Sequence, residues 1–242
     1  MSITVILNGY KRPHVLQKQL ESIRNQSVQP ESILFWQNSG SQFDENLTKD
    51  LVHASCNNNL GVWARFTFAL NANTEYICVF DDDTIPGKLW LENCLNTMKA
   101  QEGLLGTIGV KFHTKNSYWP ATRVGWDQPN EEIEKVDIVG HSWFFKREWL
   151  SIFWGELPEI NQSKLVGEDM HFSYTLQKYA NIGTYVPPHP KNNRDMWGSI
   201  PEYAWEHGTD SNAISVNHSN MNLMGEVYRG YVNKGFKTIL ND

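Results

Sequence analysis

Across the first 83 residues, short apolar runs rich in β-branched side chains alternate with stretches of helical periodicity, and the last run ends in three consecutive aspartates. Residues 3–7 read as a buried strand closing on Asn8-Gly9. Pro13 then opens a helix with Val15, Leu16, Leu20 and Ile23 on one stripe. Residues 32–36 form a second strand, stopped by the turn signal Asn38-Ser39-Gly40, and residues 51–54 a third. A helix over 62–70 leads to a fourth strand, 76–80, that runs straight into Asp81. Strand and helix in this rhythm imply βαβ units and the α/β class, with a mostly parallel sheet. Ligands of such sheets bind beyond the carboxyl ends of the strands. Asn8-Gly9-Tyr10 and Asp81-Asp82-Asp83 are therefore expected to face one crevice.

The second half is less regular. The spacing predicts a helix over 89–99, a strand over 107–112, a strand or strand pair over 136–145, a helix over 170–179 and a strand over 183–186. Residues 187–213, rich in Pro, Gly, Asn and Trp, read as a long loop of the kind that carries function. Residues 222–240 read as a terminal helix with Leu223, Val227, Tyr231 and Phe236 as its apolar members. They suit packing on the domain, with contact of Leu223, Tyr231 and Phe236 with a membrane surface as the alternative. No repeat or linker divides the 242 residues, so one domain is expected, falling into stretches 1–100 and 101–190 and a loop and helix over 191–242.

A formal charge of −6 argues against nucleic acid as a partner, because polyphosphate backbones reward basic proteins. It leaves a phosphate-bearing substrate open, since a divalent cation supplies positive charge locally. Ten Trp and nine Tyr offer flat faces with polar handles, suited to sugar rings as well as to core packing. Cys56, Cys78 and Cys94 form neither a disulfide framework nor a metal-ligand spacing. The chain starts without a secretory signal and has no apolar stretch of membrane-spanning length, so a cytoplasmic protein, in solution or at a membrane surface, is expected.

Three adjacent aspartates repel one another unless something offsets their charge. A hard cation such as Mn²⁺ or Mg²⁺ does so and keeps positions open for phosphates. Alternation along an extended chain puts Asp81 and Asp83 on one side and Asp82 on the other. Asp83, with Asp81, is the expected metal ligand, and Asp81 or Asp82 the partner of a ribose hydroxyl. Read alone, the triplet serves equally as an acidic turn capping a helix that begins near Pro86.

The surroundings add to this. Asn59-Leu-Gly61-Val-Trp-Ala-Arg65, a helix, and a strand ending in Asp81-Asp82-Asp83 resemble the central stretch of GT-A glycosyltransferases, in particular the large inverting family 2. The strand closing on Asn8-Gly9-Tyr10-Lys11-Arg12, followed by a helix, resembles that family's start. The resemblance implies a GT-A fold, a Rossmann-like βαβ half fused to an acceptor half around one mostly parallel mixed sheet. It implies a nucleoside-diphosphate sugar as donor and a glycan or glycolipid hydroxyl as acceptor. Asn8, Gly9, Tyr10, Arg12, Asn38, Asn59, Gly61, Arg65, Asp81 and Asp82 then belong to the donor site. Where the family usually places an acidic residue at the nucleotide base, this chain has Gln37-Asn38, an amide.

Downstream, residues 139–147 look like the family's acceptor-side strand, and Gly167-Glu168-Asp169-Met170 is similar to its Glu-Asp motif. The resemblance implies Glu168 and Asp169 as the catalytic pair, Asp169 as the general base. The bare residues fit equally a capped helix N-terminus. The stretch 136–169 also resembles the exostosin-like family, which shares the fold and metal motif but retains anomeric configuration. His189 fits best as a third metal ligand, with His207 and His218 as rivals, and Lys191 and Arg194 lie beside it for a leaving diphosphate. Trp197, Tyr203 and Trp205 suit stacking on a sugar or packing of their loop. Two other classes stand against these. A sugar nucleotidyltransferase would carry a Gly-rich phosphate loop after the first strand, and a non-catalytic carbohydrate-binding protein would not need two acidic clusters.

Overall fold

A computed structural model describes residues 1–40, 42–158, 164–210, 213 and 218–241. Its centre is one nine-stranded sheet. The strands are β1 (Ile3–Gly9), β2 (Ser32–Gln37), β3 (Val52–Ser55), β4 (Tyr76–Phe80), β5 (Gly103–Phe112), β6 (Ala121–Val124), β7 (Glu134–Val136), β8 (Ile138–Lys146) and β9 (Gly183–Val186). The order is β3-β2-β1-β4-β8-β5-β9-β7, with β6 on β5. The first four strands in that order are mutually parallel, as the alternating strand and helix signals require. β8 then enters antiparallel between β4 and β5 and carries the sheet into its second half. β1 and β4 are buried at nearly every position, as strands covered on both faces of a parallel sheet are.

The helices are α1 (Leu16–Arg24), α2 (Glu45–Thr48), α3 (Ala64–Phe68), α4 (Trp90–Ala100), α5 (Leu150–Phe153), α6 (Glu168–Ala180), α7 (Pro201–Gly208) and α8 (His218–Asn233). α1 buries Leu16, Leu20 and Ile23, the stripe expected from their spacing. One large apolar cluster fills the space around β1, β4, β8 and α4. A second joins Phe112, Tyr118, Met170 and Tyr174 to Tyr228, Tyr231 and Phe236 of the C-terminal segment. That second cluster covers the apolar stripe of α8. Tyr231 and Phe236 are buried against the domain, so they form no membrane-facing surface. No helix among the described residues is long and apolar enough to cross a membrane.

Two differences from the sequence expectation concern the site. The stretch 187–213 is not one loop: a 3₁₀ turn, Arg194–Met196, and α7 lie within it, α7 starting at Pro201. Proline at the first helical turn has no amide hydrogen to leave unpaired there. The predicted terminal helix ends at Asn233, and the chain continues to a short 3₁₀ turn at Ile239–Asn241.

Candidate active site

Pairing sets the geometry of the acidic triplet. Leu7 lies opposite Phe80, so Asn8 and Asp81 emerge level at the carboxyl ends of β1 and β4. On the other side of β4, Phe80 faces Ser142, and the Asp81 amide donates to the His141 carbonyl at 2.9 Å. His141 sits where the β5–β8 register shifts between Gly106 and Ile108, and its φ is +64°. A left-handed non-glycine residue at a bulge is strained, and bulges re-aim side chains. Here the ring turns toward the aspartates: Nδ1 stands 3.7 Å from an Asp83 carboxylate oxygen. Asp81, Asp83 and His141 bring one ligand atom each to within 4.8 Å of one another.

The triplet is not a solvated helix cap, since Asp82 and Asp83 are buried and α4 begins only at Trp90. Asp82 lies in a turn beyond the end of β4 at Phe80, so the expected alternation does not separate it from Asp83, and the two share Arg12. Asp82 accepts from the Tyr10 amide at 3.1 Å and from Arg12 at 2.5 Å. Arg12 also lies 3.5 Å from Asp83 and clasps Asp210 through two hydrogen bonds, at 2.8 and 3.1 Å. Arg65, buried between the two carboxylate groups, pairs with Asp81 and donates to Glu168 at 2.6 Å. Guanidinium groups thus offset much of the repulsion that the sequence alone assigns to a cation. Burial and the neighbouring Asp83 raise Asp82 above the usual carboxylate range. Burial raises Glu168 as well, against the pull of Arg65.

A cleft of about 440 Å³ runs over these strand ends. Asn8, Tyr10, Arg12, Asn38, Asn59, Gly61, Arg65, Asp81, Asp82 and Asp83 all line it, with Lys11 and His141. Gly9 does not: it packs so tightly against Phe35 and Phe43 that a Cβ would meet their rings at 2.6–2.7 Å. Two of these asparagines, Asn38 and Asn59, are engaged within the protein. Asn38 donates to Asn59 at 2.9 Å, and its carbonyl oxygen accepts from the Ser39 and Leu60 amides. Asn59 donates to the Tyr10 hydroxyl at 3.2 Å. Gly61 has φ +73°, and a Cβ there would lie 1.8 Å from the Lys164 carbonyl oxygen. Only glycine lets this loop meet the segment that leads to Glu168.

Glu168 and Asp169 open α6 behind Gly167, which is left-handed at φ +98°. Asp169 accepts from the Met170 amide at 2.6 Å, and burial pushes its pKa up to about 6. Both carboxylates line a second cavity of about 260 Å³, which shares Asp81, His141, Gly208 and Met224 with the first cleft. Tyr118, Trp119, Arg123, Trp126, Trp143 and Trp205 form much of its wall.

His189 is a correction. It is fully buried between Trp90 and Trp197, Nδ1 lies 3.0 Å from the Pro187 carbonyl, and Nε2 accepts from the Gly198 amide at 3.0 Å. Both ring nitrogens are used by backbone, so no lone pair remains for a metal; burial holds its pKa down at about 4. His207 packs edge-on against His14, and the side chain of His218 lies outside the described residues. Arg194 pairs with Glu202, and neither it nor Lys191 lines the cleft. Trp197 is buried and donates to the Pro190 carbonyl, Tyr203 lies under Lys18, and Trp205 alone of the three reaches the site. The residue missed in the sequence is His141, whose one signal was a histidine inside an apolar strand.

Solved structures of TarS from S. aureus share the fold. The 1–349 fragment matches with TM-score 0.54 at 13% identity over 97% of this chain and 74% of that one. The same fragment in complex with UDP-GlcNAc matches with TM-score 0.53 at 14% identity, covering 98% of this chain and 73% of that one. Against the longer TarS chain the match covers all of this chain but 45% of that one. No curated protein matches the sequence. The model of glycosyl transferase family 2 matches residues 4–154, more than half of the chain, and the chain therefore belongs to that family: it is a glycosyltransferase of the GT-A fold.

Proposed function

We propose that the protein transfers a sugar, with inversion, from a nucleoside-diphosphate donor in the cleft over β1 and β4 to a hydroxyl of a glycan or glycolipid held in the adjoining cavity. The observation that carries this reading is the shared wall. Asp81 and His141 belong to both spaces, and Asp169 lines the second together with them. Two TarS structures hold UDP and UDP-GlcNAc, which supports a nucleotide sugar as donor here.

Asp169 is the general base. Its Oδ1 is fixed by the Met170 amide, which leaves the other oxygen for the acceptor hydroxyl. As the acceptor oxygen bonds to the anomeric carbon, its proton passes to Asp169. The bond from that carbon to the diphosphate oxygen breaks, and the nucleoside diphosphate leaves with the electron pair. Glu168 acts through Arg65, holding the guanidinium that in turn holds Asp81.

Asp81, Asp83 and His141 fit a divalent cation. Two carboxylates and an imidazole suit Mn²⁺ or Mg²⁺, and His141 Nδ1 is buried without a hydrogen-bond partner among the described residues. When bound, the cation neutralises charge on the diphosphate. Lys11 and Arg12 line the same cleft and add to that positive field.

Asp169→Asn tests the base. Transfer from a nucleotide-sugar panel should fall by about 10²–10⁴-fold, while metal-dependent nucleotide binding stays within a few-fold of normal. Near-normal turnover in Asp169→Asn would remove Asp169 from the role. NMR of the new linkage reads inversion directly.

A further inference from the structure

Arg123 stands out in the acceptor cavity. It lies on β6 opposite Val110 of β5, and its guanidinium sits over two indoles, 5.4 Å from the ring centre of Trp119 and 5.7 Å from that of Trp126. Among the described residues no carboxylate pairs with it, and no hydrogen bond uses its donors. The other two arginines of the site are each held by two or more carboxylates. An unpaired cation stacked on aromatic faces, in a chain of net charge −6, keeps its planar donor fork free for an incoming anion.

The walls around it match a sugar. Trp126 and Trp205 meet edge to face at 5.4 Å, and Trp205 is half exposed at the rim. Trp143 is almost wholly buried, and its indole N–H and that of Trp119 have no hydrogen-bond partner among the described residues. Buried donors without partners mark where acceptor oxygens are wanted. Against this, Asp81, Glu168 and Asp169 line the same cavity and would repel an anion unless a cation met its acidic group at a distance from them.

Building on the acceptor assignment above, we infer that the acceptor is an acidic glycan, and that Arg123 is the specificity-determining residue that grips its carboxylate or phosphate while Trp126 and Trp205 flank its ring. The hydroxyl to be glycosylated then points toward Asp169, and the acidic group lies on the β6 side.

Matched probes separate charge from shape. Intrinsic tryptophan fluorescence and calorimetry would follow binding of trigalacturonate and of its neutral trimethyl ester, with glucose 6-phosphate against glucose as the phosphate arm. The acid of at least one pair should bind about tenfold more tightly than its neutral partner. Arg123→Gln should abolish that preference, and Arg123→Lys should keep part of it. Whichever pair shows the preference identifies a carboxylate or a phosphate as the recognised group. Equal binding within both pairs, no binding of either acid, or an unchanged preference in Arg123→Gln would overturn the inference. The same samples are titrated with UDP-GlcNAc. Normal donor binding with no acid preference sinks this inference alone, whereas absent donor binding for a panel of nucleotide sugars sinks the functional reading beneath it.

Discussion

Two histidines set the residue-scale predictions apart. His141→Ala removes one of three candidate ligands and should weaken Mn²⁺ binding by at least about tenfold, read by calorimetry, with little change in thermal stability. His189→Ala should do the opposite. It strands the buried Gly198 amide and opens a void between Trp90 and Trp197, so the fold should lose about 2–4 kcal/mol while Mn²⁺ affinity stays unchanged. Equal Mn²⁺ affinities in wild type and His141→Ala would exclude the proposed ligand set. The sequence offered His189 on position along the chain. What disqualifies it is that backbone groups from two turns of the same segment consume both ring nitrogens. His141 shows the converse, because nothing local to 139–147 announces a left-handed residue aimed at Asp83.

At the scale of elements, His171 of α6 locks three helices together. Nε2 lies 2.8 Å from the Phe153 carbonyl of α5, which can only accept. Nε2 must therefore carry the proton, and Nδ1 accepts from the Tyr231 hydroxyl of α8 at 2.8 Å. Tyr231→Phe leaves Nδ1 buried and unpaired and should cost about 1–3 kcal/mol in chemical denaturation. No loss of stability would mean that the bond is replaced by water or is unimportant. The elements differ in how plainly the sequence announces them. β4 and β9 appear as expected because their apolar runs end abruptly at polar or proline residues. β6 is four residues with two exposed side chains and no alternation to read, and it exists because β5 offers an edge beside it. α7 hides among turn-forming residues, although Pro201 at its first turn is a start signal.

For the whole molecule, buried titratable groups give opposing pH dependences. Burial raises Glu168 to about 8 and Asp169 to about 6, so the folded state holds these protons more tightly than the unfolded one. Their contribution is full below the ordinary carboxylate range and is lost as pH rises through 6 to 8. Burial depresses His171 and His189 instead; their contribution is present above about 6.5 and is lost as pH falls below it. The metal-free protein should therefore show a falling Tm between pH 6.5 and 8, as these two carboxylates lose their protons. A flat Tm across that window would contradict the upward shift of these acids. The same chain of local cause and long-range consequence runs through the site. The parallel first half, the aspartates at its strand ends and a carboxylate pair opening a helix are legible in the residues alone, because apolar runs and the polar residues that stop them are local facts. Tertiary structure alone decided that Arg65 joins Asp81 to Glu168, that Arg12 holds Asp82 and Asp210, and that His141 rather than His189 faces Asp83. Those partners lie tens to nearly two hundred residues apart. Their meeting depends on sheet order and on a bulge that turns one side chain, neither of which residue spacing encodes.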